Sequence, residues 1–280
     1  MRIAVNGTQL FFDVDGPQLV DDGPTMRERP TVLLLHGGPG FDHSNFKPAY
    51  QRLTALAQVV YLDHRGNGRS DRGVPASWRL DVWADDVKAF CDALEIERPI
   101  VLGWSFGGFV AQAYASRYPD HPAKLILQST AARFDVDRVV AGFQAVGGET
   151  AAAAARAFWS DPTDDSMAGY LQHCLPCYSP EPLDAAAMTR CLLNMELLKG
   201  FEGEMEMDQR VALKSVACPT LVLAGDLDPI TPVGAADEIV EALDPSLVTY
   251  QRFERSGHFI QDTEPDRFFD VLTRFIGAAG

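Results

Sequence analysis

The chain has 280 residues, enough to bury one large α/β domain with or without an insertion. A formal charge of −15 repels phosphate backbones and anionic lipids, which excludes nucleic acid and membrane surfaces as expected partners. With 46% hydrophobic residues and no apolar run near the roughly 18 to 20 residues that span a bilayer, the composition is that of a soluble globular protein. Residues 1–7 lack the apolar stretch and small-residue cleavage site of a secretory signal, so the cytoplasm is the expected location.

The first element is a hairpin: residues 2–5, the turn pair Asn6-Gly7, then alternating residues 9–14. A polar loop rich in Pro and Gly follows. Short apolar runs at 31–35, 59–62, 100–104 and 125–128 are too brief for helices and rich in Val, Ile and Leu, which predicts parallel strands covered on both faces. Between them, Val82, Trp83, Val87, Phe90 and Leu94 share a helical face behind an expected Asp81 cap, and residues 106–118 form a second helix stopped by Pro119. Strand and helix alternate as in an open α/β sheet. From about 131 to 215 the alternation gives way to an Ala-rich helix at 151–157, scattered aromatics and acidic clusters. The βα pattern resumes with a strand at 219–224, a helix near 235–243, a strand near 247–253 and a closing helix at 264–276. The expected organisation is a core of residues 1–130 and 216–280 with a helical cap inserted at 131–215.

In an open parallel sheet the ligand lies beyond the carboxyl ends of the strands. Polar or Gly-rich segments directly follow five predicted strands, among them Gly103-Trp104-Ser105-Phe106-Gly107, which fits G-x-S-x-G at a strand-to-helix junction. A serine on that sharp turn projects its hydroxyl into the site, and the flanking positions must be small where backbones crowd. Ser105 is therefore the candidate nucleophile. A serine hydroxyl needs a base held in the right tautomer by a third group. His258 follows the last strand and is the candidate base, ahead of His36. Asp228 is the candidate orienting acid, preferred to Asp226 because it stands further beyond its strand. Backbone N–H groups of Phe106, at a helix start, and of Gly38, in the glycine loop, are the candidate oxyanion donors.

The five cysteines are odd in number and scattered, which does not suggest a disulfide framework. Cys174 and Cys177 form a C-x-x-C beside His173, but no second Cys or His pair follows at zinc spacing. Buried or half-buried thiols are the expected reading, with no metal and no cofactor. A small molecule or short peptide is the expected substrate, and the oligomeric state is left open.

Three segments, His36-Gly37-Gly38-Pro39-Gly40, Asp63-His64-Arg65-Gly66-Asn67-Gly68-Arg69-Ser70 and the Ser105 elbow, resemble the proline iminopeptidase group of α/β hydrolases. Asp228-Pro229-Ile230-Thr231-Pro232 and Ser256-Gly257-His258 support the match. The resemblance implies the α/β-hydrolase fold, with a mostly parallel central sheet, helices on both faces and an inserted helical cap. It also implies release of an N-terminal residue, often proline, from short peptides. Three positions depart from the family. Phe106 replaces a frequent tryptophan, His64 replaces a usual glutamine, and Pro229 stands where some members carry an amine-binding glutamate. A segment containing Glu204 loosely matches the family's amine-binding stretch, which makes Glu204 a candidate substrate-binding residue. An esterase or lactonase with the same triad is the alternative, and a non-catalytic ligand receptor of the same fold is the third.

Overall fold

The computed structural model describes residues 1–200 and 207–278. β1 (Arg2–Val5) and β2 (Thr8–Asp15) pair antiparallel across Asn6 and Gly7, whose φ angles of 45° and 71° are those of a tight hairpin turn. The stretch read as a loop contains a second hairpin, β3 (Leu19–Asp22) with β4 (Thr25–Glu28). Its side chains are almost all exposed, so no burial pattern marks it in the sequence; the Gly23-Pro24 turn pair, with Gly23 at φ 63°, is the signal that reveals it.

The remaining strands are β5 (Thr31–Leu35), β6 (Gln58–Leu62), β7 (Ile100–Trp104), β8 (Lys124–Gln128), β9 (Thr220–Gly225) and β10 (Val248–Phe253). They run parallel in an eight-stranded sheet of order β1-β2-β6-β5-β7-β8-β9-β10, with β1 and β2 as the antiparallel edge. Period-two alternation splits the core. Leu33, Leu35, Val101 and Leu127 pack on one face with α1 (Leu80–Ala93), α2 (Phe106–Arg117) and α7 (Val233–Ala242). Val32, Leu34, Leu102 and Ile126 pack on the other with the C-terminal α9 (Pro265–Gly277). Each fully buried leucine contributes about 1.5 to 3 kcal/mol.

Asp81 does not cap α1. Arg79 is the N-cap and Asp81 the second helical residue, where its carboxylate pairs with the Arg79 guanidinium near the positive end of the helix dipole. The closing helix is divided into α8 (Ile260–Thr263) and α9, which begins at Pro265. Lys124 Nζ closes the far end of α9 by donating to the carbonyls of Phe275, Ile276 and Ala278.

Between β8 and β9 the chain leaves the sheet as α3 (Val136–Ser160), α4 (Asp164–His173), α5 (Ala185–Arg190) and α6 (Met195–Gly200). Helix α3 breaks at Gly148, whose φ of 70° is non-helical. Phe143, Ala151, Ala155, Phe158 and Tyr170 form a separate apolar cluster there, joined by Ile230 from the loop after β9.

Candidate active site

The chain order reverses direction across the sheet between β5 and β7, and a crevice opens at such a switch point. The loops after these strands meet there: a Cβ on Gly37 would lie 3.3 Å from Ser105 Cβ. Ser105 joins β7 to α2 with φ 54° and ψ −119°, a strained conformation that costs about 1 to 3 kcal/mol. The surroundings hold it. Ser105 N–H donates to Gln128 O, Gly108 N–H to Ser105 O, and Thr130 Oγ1 to Ser105 O. The glycines have a steric cause: a Cβ on Gly103 would meet Gly107 O at 2.4 Å, and one on Gly107 would meet Leu35 O at 2.0 Å.

His258 and Asp228 are both buried, and His258 Nδ1 donates to Asp228 Oδ2 at 2.8 Å. Asp228 also accepts from Ile230 N, Thr231 N and Thr231 Oγ1. Burial pushes the Asp228 pKa up, but the facing His258 and the bonds from His258 and Thr231 outweigh it and hold the carboxyl below its ordinary 3.8. Asp226 lies elsewhere, in a two-bond pair with Arg252 at 2.9 Å. His36 spends both ring nitrogens on structure, Nδ1–H on Gly37 O and Nε2 on the His64 N–H. Ser105, His258, Gly38 and Phe106 border one cavity. Among the described residues Ser105 Oγ makes no hydrogen bond, as is common before a substrate tightens such a contact.

A buried polar bridge ties the serine turn to the histidine loop. Gln128, whose carbonyl holds Ser105 N–H, donates through Nε2 to Gln261 Oε1 at 2.7 Å and accepts from the Tyr50 hydroxyl. All three are buried. Gln128→Leu strands two buried partners, and urea unfolding should show a loss of about 2 to 4 kcal/mol. A variant as stable as the parent would contradict this bridge.

The Asp63–Ser70 segment anchors the glycine loop from behind. Asn67 Oδ1 accepts from Gly40 N at 2.7 Å, while Asn194 donates through its backbone to Gly40 O and through Nδ2 to Gly66 O. Burial pushes the pKa of His36 and His64 down from 6.5; Asp63 and Asp42 partly restore His36, and His36 adds repulsion at His64. The folded protein keeps both neutral, whereas the unfolded chain takes up protons near pH 6.5. Stability should therefore fall as pH drops below about 6.5 until the lowered pKa values are reached, by about 1.4 kcal/mol per pH unit for each proton. His64→Gln, tested by unfolding across pH 5 to 8, should flatten that slope.

The cavity wall is chiefly aromatic and aliphatic, including Phe41, Phe134, Phe158, Trp159, Tyr170 and Tyr178. Its ionic groups other than His258 are engaged with one another or with neighbours: Asp135 pairs with Arg133 and caps α3, and Glu238 binds Arg133 and Arg138. The cap-segment aromatics have no motif spacing and escape sequence reading. Glu204 lies outside the described residues. Cys174 and Cys177 contact the carbonyls of Ala151 and His173, and no metal-holding group of His, Cys, Asp or Glu occurs among the described residues.

A parallel sheet with a strained serine between strand and helix defines an α/β hydrolase. Residues 30–265 match the family model of the alpha/beta hydrolase fold. Proline iminopeptidase PfmaB of Pestalotiopsis fici is 30% identical over 275 residues, 91% of this chain and 92% of that one. A pimeloyl-[acyl-carrier protein] methyl ester esterase of Chromobacterium violaceum is 29% identical, over 84% and 89%. The crystal structure of a Mycobacterium smegmatis proline iminopeptidase shares the fold, with TM-score 0.75, 20% identity and coverage of 99% and 97%. The chain belongs to the α/β-hydrolase family, resembles its proline iminopeptidases and is a hydrolase.

Proposed function

We propose that the enzyme hydrolyses esters of small apolar carboxylic acids through an acyl-enzyme on Ser105. The supporting observation is the cavity bordered by Ser105 and His258, about 140 Å³ in volume and largely apolar. A protein cavity of roughly 150 Å³ accommodates one benzene ring, which sets the scale of the acyl group. Because the Asp228 carboxylate accepts a hydrogen bond from His258 Nδ1–H and holds the proton on that nitrogen, His258 Nε2 is the basic nitrogen that removes the Ser105 proton and then protonates the leaving alcohol. The N–H groups of Gly38 and Phe106 receive the oxyanion, the latter from the positive end of α2. Water, activated by the same nitrogen, releases the acid. Helices α3 to α6 act as the cap.

A second reading, release of an N-terminal residue, draws support from the 30%-identical proline iminopeptidase. It requires a carboxylate for the substrate ammonium, and Glu204 is the candidate. The carboxylate of Asp135, which borders the cavity, already faces Arg133.

A panel of p-nitrophenyl esters beside proline p-nitroanilide separates the two. Butyrate and benzoate should give kcat/KM at least tenfold above dodecanoate, with the anilide turned over poorly. Strong anilide turnover that disappears on N-acetylation, and falls in Glu204→Gln, would replace the esterase reading with the aminopeptidase one.

A further inference from the structure

Among the polar groups that border the cavity is a pair of tyrosines that the acyl-transfer chemistry does not use. Tyr170 on α4 and Tyr178, at the end of the Leu175–Tyr178 turn, border the cavity and join their hydroxyls at 2.7 Å. Tyr178 is placed closely against the base. Its carbonyl accepts the His258 N–H at 2.7 Å, and its ring stands edge-on to the His258 imidazole with centroids 5.1 Å apart. The approach leaves no room for a side chain between them, since a Cβ on Gly257 would lie 2.2 Å from Tyr178 O.

Two hydroxyls carry two protons, and a bond between them uses one. Whichever tyrosine donates, the other keeps a proton with no acceptor among the described residues. Trp159, its ring 5.9 Å from that of Tyr170, turns its indole N–H toward the Tyr170 hydroxyl oxygen, so it adds a donor to the pair and takes up neither phenolic proton. An apolar wall that holds an unspent donor is unfavourable unless something entering the cavity accepts it.

The donors are neutral. Burial keeps both phenols protonated at any physiological pH. Arg133 and Arg138, the cations bordering the cavity, are matched by Asp135 and Glu238. One neutral donor does not offset the desolvation of a carboxylate, so the fitting acceptor is an uncharged oxygen.

On the reading of the enzyme as an ester hydrolase, we propose that Tyr178, held by Tyr170, is a specificity-determining residue that binds a neutral oxygen of the substrate. The preferred substrate is then an ester bearing a ketone, hydroxyl or ether oxygen away from the scissile carbonyl.

Two matched pairs test this by pH-stat: methyl hexanoate against methyl 5-oxohexanoate places the oxygen in the acyl part, and hexyl butyrate against 5-oxohexyl butyrate places it in the alcohol. The wild-type enzyme should favour the keto member of one pair by about 5- to 10-fold in kcat/KM, the range of one added hydrogen bond. Tyr178→Phe should bring that pair to within about twofold. The ratio is the readout, so a general loss of activity in the variant cancels. Equal rates on both members of both pairs by the wild-type enzyme would overturn the inference, as would a preference that survives in Tyr178→Phe. If Tyr178→Phe does not fold, the wild-type ratios decide. Failure to hydrolyse any of the four esters would instead remove the ester-hydrolase reading on which the inference rests.

Discussion

Ser105→Ala is expected to abolish labelling by a serine-directed organophosphorus probe and to lower kcat by about 10⁴- to 10⁶-fold. The backbone bonds that fix the turn, from Ser105 N to Gln128 O and from Gly108 N and Thr130 Oγ1 to Ser105 O, do not involve Oγ. The alanine variant therefore keeps the elbow, the cavity and the histidine loop while losing the oxygen proposed to attack. Residual turnover would come from the oxyanion donors and substrate binding alone. Thermal unfolding within a few degrees of the parent would establish that the fold is intact. Hydrolysis at the parental rate, with contaminating esterase removed by a second purification, would take the nucleophile assignment away from Ser105.

The parts of this architecture legible in the sequence are those imposed by short-range sterics and burial. β5 and β7 are buried on both faces, so their apolar runs coincide with the strands to the residue. The G-x-S-x-G spacing is visible because Gly103 and Gly107 touch backbone where no Cβ fits. The exposed β3–β4 hairpin lacks such a signature, and only its turn pair betrays it. Long-range polar partnerships are hidden as well: Gln128 and Gln261 are 133 residues apart, and nothing local to either foretells their bond. The aromatic wall is hidden for the same reason, since Phe134, Trp159, Tyr170 and Tyr178 converge from successive turns and helices with no common period. Asp226 and Asp228 are both plausible acids from sequence, because the Arg252 that occupies Asp226 lies on the neighbouring strand.

That division of labour sets the remaining large effect: Asp228→Asn should lower kcat by about 10⁴-fold, and Asp226→Asn by no more than about twofold. Asp228 Oδ2 accepts two bonds, from His258 Nδ1 and Thr231 Oγ1, while Oδ1 accepts the N–H groups of Ile230 and Thr231. An asparagine amide oriented with its oxygen toward those backbone donors presents its NH₂ to His258. The imidazole then accepts at Nδ1 and carries its proton on Nε2, the nitrogen proposed to remove the Ser105 proton, so that base would be lost with the geometry preserved. The variant also lacks the negative charge that stabilises the imidazolium as it forms. Asp226→Asn removes an ion pair whose Arg252 partner is half exposed, and such pairs contribute little. Circular dichroism and unfolding midpoints verify that both variants fold. A loss of 10³-fold or more in Asp226→Asn, with Asp228→Asn near wild type, would transfer the orienting role to Asp226 and require the histidine loop to rearrange in the working enzyme.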